Sequence, residues 1–169
     1  MSYSRKDLLQ QNNSYIKYAK NELTQGRKKS CWAWFIFPQL AGIIEHITRG
    51  CNQSTHSNKK YSIPSLDEAK NLLNDEAFKE NLREVTNLVI QALDNKLLEN
   101  IMNRDDSKFL SSMRLFYIAS FELNNSELSI LFKNALKKSN ANIKSSPTLE
   151  ILKSKGYNET RILNHFEIE

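Results

Sequence analysis

The chain is poor in the residues that interrupt or cross-link a fold. Its 169 residues include four glycines, three prolines and two cysteines. So little Gly and Pro excludes collagen-like, Pro-rich and largely disordered chains. Cys31 and Cys51 are too few for a disulfide framework and too far apart for a zinc pair, which points to a reducing compartment and to stability from packing. Long apolar runs are missing too. The longest is Cys31 to Pro38, well short of the roughly 20 residues a membrane helix needs. The opening MSYSRKDLLQQ lacks the apolar core of a signal peptide. The expectation is a soluble, cytoplasmic protein with no membrane partner. Gly-rich phosphate loops, G-x-S-x-G and H-E-x-x-H are absent, and Cys31, His46, Cys51 and His56 match no usual zinc spacing. No metal and no cofactor is therefore expected.

What is present reads as helix. The length suits one domain, and 24 Lys plus Arg against 19 Asp plus Glu gives a net charge of +5 that favours phosphate-bearing partners. From Ser4 to Gln25, Leu8, Leu9, Ile16, Ala19 and Leu23 recur at helical spacing, and Gly26 suits a helix stop. Ser65-Leu66-Asp67-Glu68 has the form of a capping box, with the Glu carboxylate reaching back to the cap. Asn74 or Asp75 can cap a helix through Leu93, Leu97 to Met102 give a turn or two, and Asp105 or Asp106 can cap a helix to about Phe121. Leu128 to Leu136 mark another helix, and Ser146-Pro147 opens one that Gly156 ends. Gly50 to Lys60 and Ser139 to Ser145 read as loops. The expected fold is all-α, a single-domain irregular bundle of about six or seven helices over residues 1–156, with 157–169 as a C-terminal extension whose Ile162, Leu163 and Phe166 can form a short docked helix.

Two segments have the composition of a site. Gly26 to Gln39 places Arg27, Lys28 and Lys29 directly before both tryptophans, Trp32 and Trp34. Basic side chains can meet a phosphate while an indole stacks on a base. Core packing explains the same aromatics: if the run is extended, both of its faces are apolar. Buried indole N–H groups nevertheless seek a partner. In the second segment, Asp105 to Phe116, Lys108 and Ser112 border a face of Phe109, Met113, Phe116 and Tyr117, with Ser111 two positions round the helix. Acids at a helix start serve as caps, and Asp106, Lys108 and Ser112 can equally line a pocket. His165 reads as a surface side chain.

Several strings carry a resemblance. Gly26-Arg27-Lys28-Lys29-Ser30, then Trp32-x-Trp34-Phe35-Ile36-Phe37-Pro38-Gln39-Leu40, then Tyr61-Ser62-Ile63, Ser65-Leu66-Asp67-Glu68-Ala69 and Asp106-x-Lys108-x-x-Ser111-Ser112-Met113-x-Leu115-Phe116 occur in one order. From about residue 8 to residue 155 the chain resembles the bacterial family called domain of unknown function 1810, which implies a compact, mostly helical domain and no established activity. Members usually have His where this chain has Cys31. The Gly42 to Lys60 connection is longer than usual and the tail past Gly156 is extra. A looser likeness, in the order of a helical run, Leu82-Arg83-Glu84 and an Asp-containing helix start, is to the NADAR family of N-glycosidases acting on ADP-ribose-type and phosphoribosylated substrates. It implies a cationic phosphate anchor and a carboxylate that stabilises an oxocarbenium-like transition state.

The resulting expectation is a site for a phosphorylated nucleotide- or ADP-ribose-like small molecule, with its hydrolysis as a further step. Arg27, Lys28 or Lys29 anchors phosphate, Trp32 or Trp34 stacks, Gln39 orients, and Lys108, Ser111 and Ser112 line the reacting end. Asp106 is the catalytic carboxylate and the counter-charge between Lys29 and Lys108. Lys108→Ala and Asp106→Asn are then expected to lose ligand with little loss of fold. A nucleic-acid-binding module using the same basic patch and a protein-interaction domain whose signature is all core are the alternatives.

Overall fold

The computed structural model describes residues 2–43 and 60–168. Among the described residues there are nine α-helices, seven of at least eight residues, and no strand, as the all-α expectation requires. An isolated parallel bridge joins Leu40 to Ile63.

Local signals set most boundaries. Helix α1 (Arg5–Thr24) begins where Ser4 Oγ accepts from Asp7 N at 3.2 Å. It ends at Gly26, whose φ of +86° costs a residue without Cβ nothing. The Cys31 to Pro38 run is not extended. It makes one helical turn, α2 (Ala33–Ile36), because a segment buried on every side must satisfy its N–H groups locally: Ile36 N donates to Trp32 O at 2.9 Å and Phe37 N to Ala33 O at 2.9 Å. Helix α3 (Leu66–Leu73) is capped by Ser65 as expected. The Glu68 carboxylate does not reach back to the cap, however. It takes the Tyr3 hydroxyl at 2.7 Å and the Arg5 guanidinium at 2.6 and 2.7 Å, and these donors, the guanidinium charged, outcompete a backbone amide. Arg5 and its fellow donors hold the Glu68 carboxyl below its ordinary range although burial opposes them.

Helix α4 (Glu76–Ala92) is capped by Asp75, and the short α5 (Leu98–Ile101) follows. Helix α6 (Asp106–Glu122) is the axis of the molecule. The expected polar border on one side of it does not exist: Lys108, Ser111, Ser112 and Ser120 are as buried as Phe109 and Phe116, because α2, α3, α7 (Ser126–Lys138) and α8 (Pro147–Ser154) pack around it. No helix among the described residues is long and apolar enough to cross a membrane.

The last helix, α9 (Thr160–Glu167), shares the core through Ile162 and Phe166. His165 is not a free surface side chain. Its Nδ1 lies 2.7 Å from the buried Tyr117 hydroxyl, and its carbonyl accepts from Lys133 Nζ at 2.6 Å. Burial and the neighbouring Lys133 charge push the His165 imidazole below its ordinary pKa of 6.5. A base depressed in the folded state contributes stability that is complete above 6.5 and declines as pH falls from there toward the folded value. Melting temperature should therefore drop on acidification below that pH, and His165→Gln should flatten this part of the profile. A parallel profile in the variant would show that the imidazole plays no part.

Candidate functional site

The turn after α1 is built on Glu22. Its carboxylate accepts from Lys29 N at 2.6 Å, Ser30 N at 2.8 Å, Ser30 Oγ at 2.6 Å and Trp32 Nε1 at 3.0 Å. Burial alone would raise the Glu22 pKa, but these four donors together hold it below its ordinary value. One acid thus fixes the basic turn and the first indole. Lys28 N donates to Ile101 O at 2.7 Å, tying the turn to α5.

This tether carries the Lys28 side chain inward, where it is 1% exposed and 2.8 Å from Asp105 Oδ2. That contact is an ion pair without hydrogen-bond alignment. Lys108 Nζ donates to Asp105 Oδ1 at 3.0 Å from one turn along α6. Each ammonium also stands over an indole, Lys28 over Trp32 at 5.1 Å and Lys108 over Trp34 at 4.7 Å. Desolvated cation–π contacts of this kind contribute about 2 kcal/mol each. Asp105 occupies the N-cap position of α6, yet its side chain makes no cap bond because both oxygens face the lysines. Asn103 and Arg104 just before it have φ of 49° and 71°. Two consecutive left-handed residues are costly, and here they bend the chain so that the Asp105 carboxylate enters the interior.

The two sequence segments do meet, but one position away from the expected pairing. The charge between the lysines is Asp105, not Asp106, and its partner in the turn is Lys28, not Lys29. Asp106 is half-buried at the first position of α6. Lys29 is exposed, 3.4 Å from Gln25 Oε1. Arg27 braces the strained turn, donating to Asn103 Oδ1 at 3.0 Å and Asn100 O at 3.4 Å. Gln39 is buried and its carbonyl accepts from Ile63 N at 2.9 Å. Ser111 and Ser112 are buried on α6.

The two tryptophans differ. Trp32 is fully buried and its N–H is engaged by Glu22. Trp34 is 5% exposed, and neither its Nε1 nor the Ser112 Oγ has a hydrogen-bond partner among the described residues. Nothing in composition or periodicity singles out Glu22. The available signal was an acid one turn before a glycine stop, followed by a basic run whose amides need an acceptor.

Other expectations end differently. Cys31 is disulfide-bonded, which overturns the expectation of unpaired thiols and with it the argument for a reducing compartment. Spacing rules recognise frameworks of several cysteines and are silent about one pair. The remaining cysteine, Cys51, lies outside the described residues, as do His46, His56 and most of the Gly50 to Lys60 loop. Among the described residues no three His, Cys, Asp or Glu side chains are grouped to hold a metal ion. Arg83 of the Leu82-Arg83-Glu84 string pairs with Glu127 and Glu80, and Glu84 pairs with Lys20, so its charged members tie α4 to α7 and α1. An open cleft of about 270 Å³ at the C-terminal ends of α1 and α4 is lined by Thr24, Gly26, Leu88 and Lys96. It contains none of the lysine–tryptophan cluster.

Known proteins place this architecture. A crystal structure described as the conserved hypothetical protein Rv1873 from Mycobacterium tuberculosis is similar with a TM-score of 0.69 at 30% sequence identity, covering 88% of this chain and 95% of that one. No curated protein matches. The family model described as "Protein of unknown function (DUF1810)" matches residues 5–152, which include the turn, the tryptophans and all of α6, and the chain belongs to that family.

Proposed function

We propose that the chain binds a phosphorylated, nucleotide- or ADP-ribose-like small molecule at the cluster of Lys28, Lys108, Asp105 and the two tryptophans. The observation that carries this reading is the convergence of two buried ammoniums and two indole faces on one carboxylate, built from segments 77 residues apart (Lys28 to Asp105). Cations beside aromatic faces suit phosphate and base together. In this reading Asp105 presets the lysines, Trp34 is the indole within reach of a ligand, and Trp32 is its structural support. Asp106, outside the ion-pair cluster, is the carboxylate left for cleavage of an N-glycosidic bond, the step that the NADAR likeness suggests.

Thermal shift against nucleotides, NAD, ADP-ribose and sugar phosphates tests the reading. A ligand of this site at 100 times its dissociation constant should stabilise the fold by about 2.7 kcal/mol. A screen with no stabilising compound defeats it. Stabilisation only by oligonucleotides, falling steeply with salt, points to the nucleic-acid module instead.

A further inference from the structure

Buried polar groups in native proteins almost always have a partner, so the exceptions mark places where something else binds. Beside the cluster there are two. Trp34 Nε1 is a donor and nothing else, and it sits 95% or more out of solvent with no acceptor among the described residues. Ser112 Oγ is fully buried and equally unmatched. Lys108 links them: its ammonium stands 4.7 Å above the Trp34 ring, and Ser112 follows it by four residues on the same face of α6.

We infer that Trp34 Nε1, Ser112 Oγ and Lys108 Nζ form an oxyanion subsite that takes a phosphoryl oxygen of the ligand. The inference deepens the reading above, on which it rests, by saying which group of the ligand enters and where. The chemistry is selective. An indole N–H can satisfy only an acceptor, a hydroxyl can donate alongside it, and an ammonium adds charge, so the guest atom is an acceptor carrying negative charge. A guest ammonium offers no acceptor to the indole N–H or the serine hydroxyl, and a neutral acceptor gains nothing from the charge of Lys108. The Asp105 carboxylate does not oppose this guest, because its two oxygens face Lys28 and Lys108 at 2.8 and 3.0 Å. Glu22 keeps Trp32 out of the subsite by occupying its N–H at 3.0 Å.

The chain has two tryptophans and therefore two indole N–H signals in a proton–nitrogen correlation spectrum, assigned with Trp34→Phe. Titration with inorganic phosphate and with ribose 5-phosphate should move the Trp34 signal saturably and leave the Trp32 signal fixed; ribose, which lacks the phosphate, should move neither. Ser112→Ala should bind ADP-ribose about 10-fold more weakly while melting no lower than the parent, because the hydroxyl it removes has no partner to lose. A Trp34 signal fixed to the end of both titrations overturns the subsite, and so does a Ser112→Ala protein that binds ADP-ribose like the parent. Failure of the nucleotide reading is distinguishable: a screen without a stabilising nucleotide, joined to a Trp34 signal that follows phosphate, keeps the subsite and removes only the nucleotide.

Discussion

Asp105→Ala should be among the most damaging single substitutions in the protein. The carboxylate is fully buried between two ammoniums that are each 1% exposed, at 2.8 and 3.0 Å. Removing one member of a buried ionic group costs about 3–5 kcal/mol, because the charges left behind keep their desolvation penalty and lose their attraction. Against a typical total of about 5–15 kcal/mol, that is a melting-temperature drop on the order of 10 °C. Lys108→Ala should also destabilise strongly. Its burial removes the basis for expecting an intact fold there, whereas Asp106→Asn, at a half-buried position, should remain mild. A cycle of Asp105→Asn, Lys108→Met and the double variant separates ionic coupling from simple capping. If Asp105 acts through Lys108, the double variant is less destabilised than the two single effects added together. A loss of about 1 kcal/mol with no coupling would instead be that of an ordinary helix cap.

The same residues show what a sequence can and cannot reveal. Ser65, Asp75 and Ser146 are legible because a cap acts on its own next turn: each side-chain oxygen accepts from an amide three residues on. The glycine stops at Gly26 and Gly156 are legible for the same local reason. Asp105 is not. Its position at a helix start looks like a cap, and only the tertiary approach of Lys28 turns the side chain away. Asp105 and Asp106 are adjacent acids, as Lys28 and Lys29 are adjacent bases, and composition alone cannot tell which of each pair faces inward. That choice is made by the left-handed turn at Asn103 and Arg104 and by the Lys28 N to Ile101 O bond. The burial of α6 on all sides was hidden in a comparable way. Ser, Lys and Ser among its apolar residues imitate a solvent border, and only the neighbours that surround the helix show otherwise. Glu68 illustrates a third limit: its spacing from Ser65 satisfied a local rule, but stronger donors arrived from Tyr3 and Arg5, more than 60 residues away.

The cluster and the turn are mechanically one object. Trp32 lies under Lys28 and is held by Glu22, while Trp34 lies under Lys108 one helical step further along α2. A change at Glu22 is thus transmitted to Lys28 by two routes, the backbone of the turn and the indole beneath the ammonium.

Glu22→Ala should therefore cost stability and loosen the site together. It strips the acceptor from Lys29 N, Ser30 N, Ser30 Oγ and Trp32 Nε1, and the Trp32 donor is in the fully buried core. Hydrogen bonds to a charged group contribute about 1.5–3 kcal/mol, and a buried donor left unmatched costs about 1–3 kcal/mol. Water can replace the acceptor for the exposed turn but not for the indole, so a total near 3–4 kcal/mol is expected from these terms. Ser30→Ala removes one side-chain donor and leaves three, and should cost far less. Glu22→Gln gives the pH signature. Because the folded-state pKa of Glu22 lies below its ordinary 4.5, its contribution is complete above that pH and is lost as pH falls through the folded value. The parent should consequently lose stability in acid along a steeper course than Glu22→Gln, which starts lower and has less to lose. Urea titrations between neutral pH and the acid limit, followed by tryptophan emission, would read both effects. Equal acid slopes in the two proteins would show that the four donors do not depend on the charge of Glu22, and an unshifted emission in Glu22→Ala would show that the indole is held by packing alone.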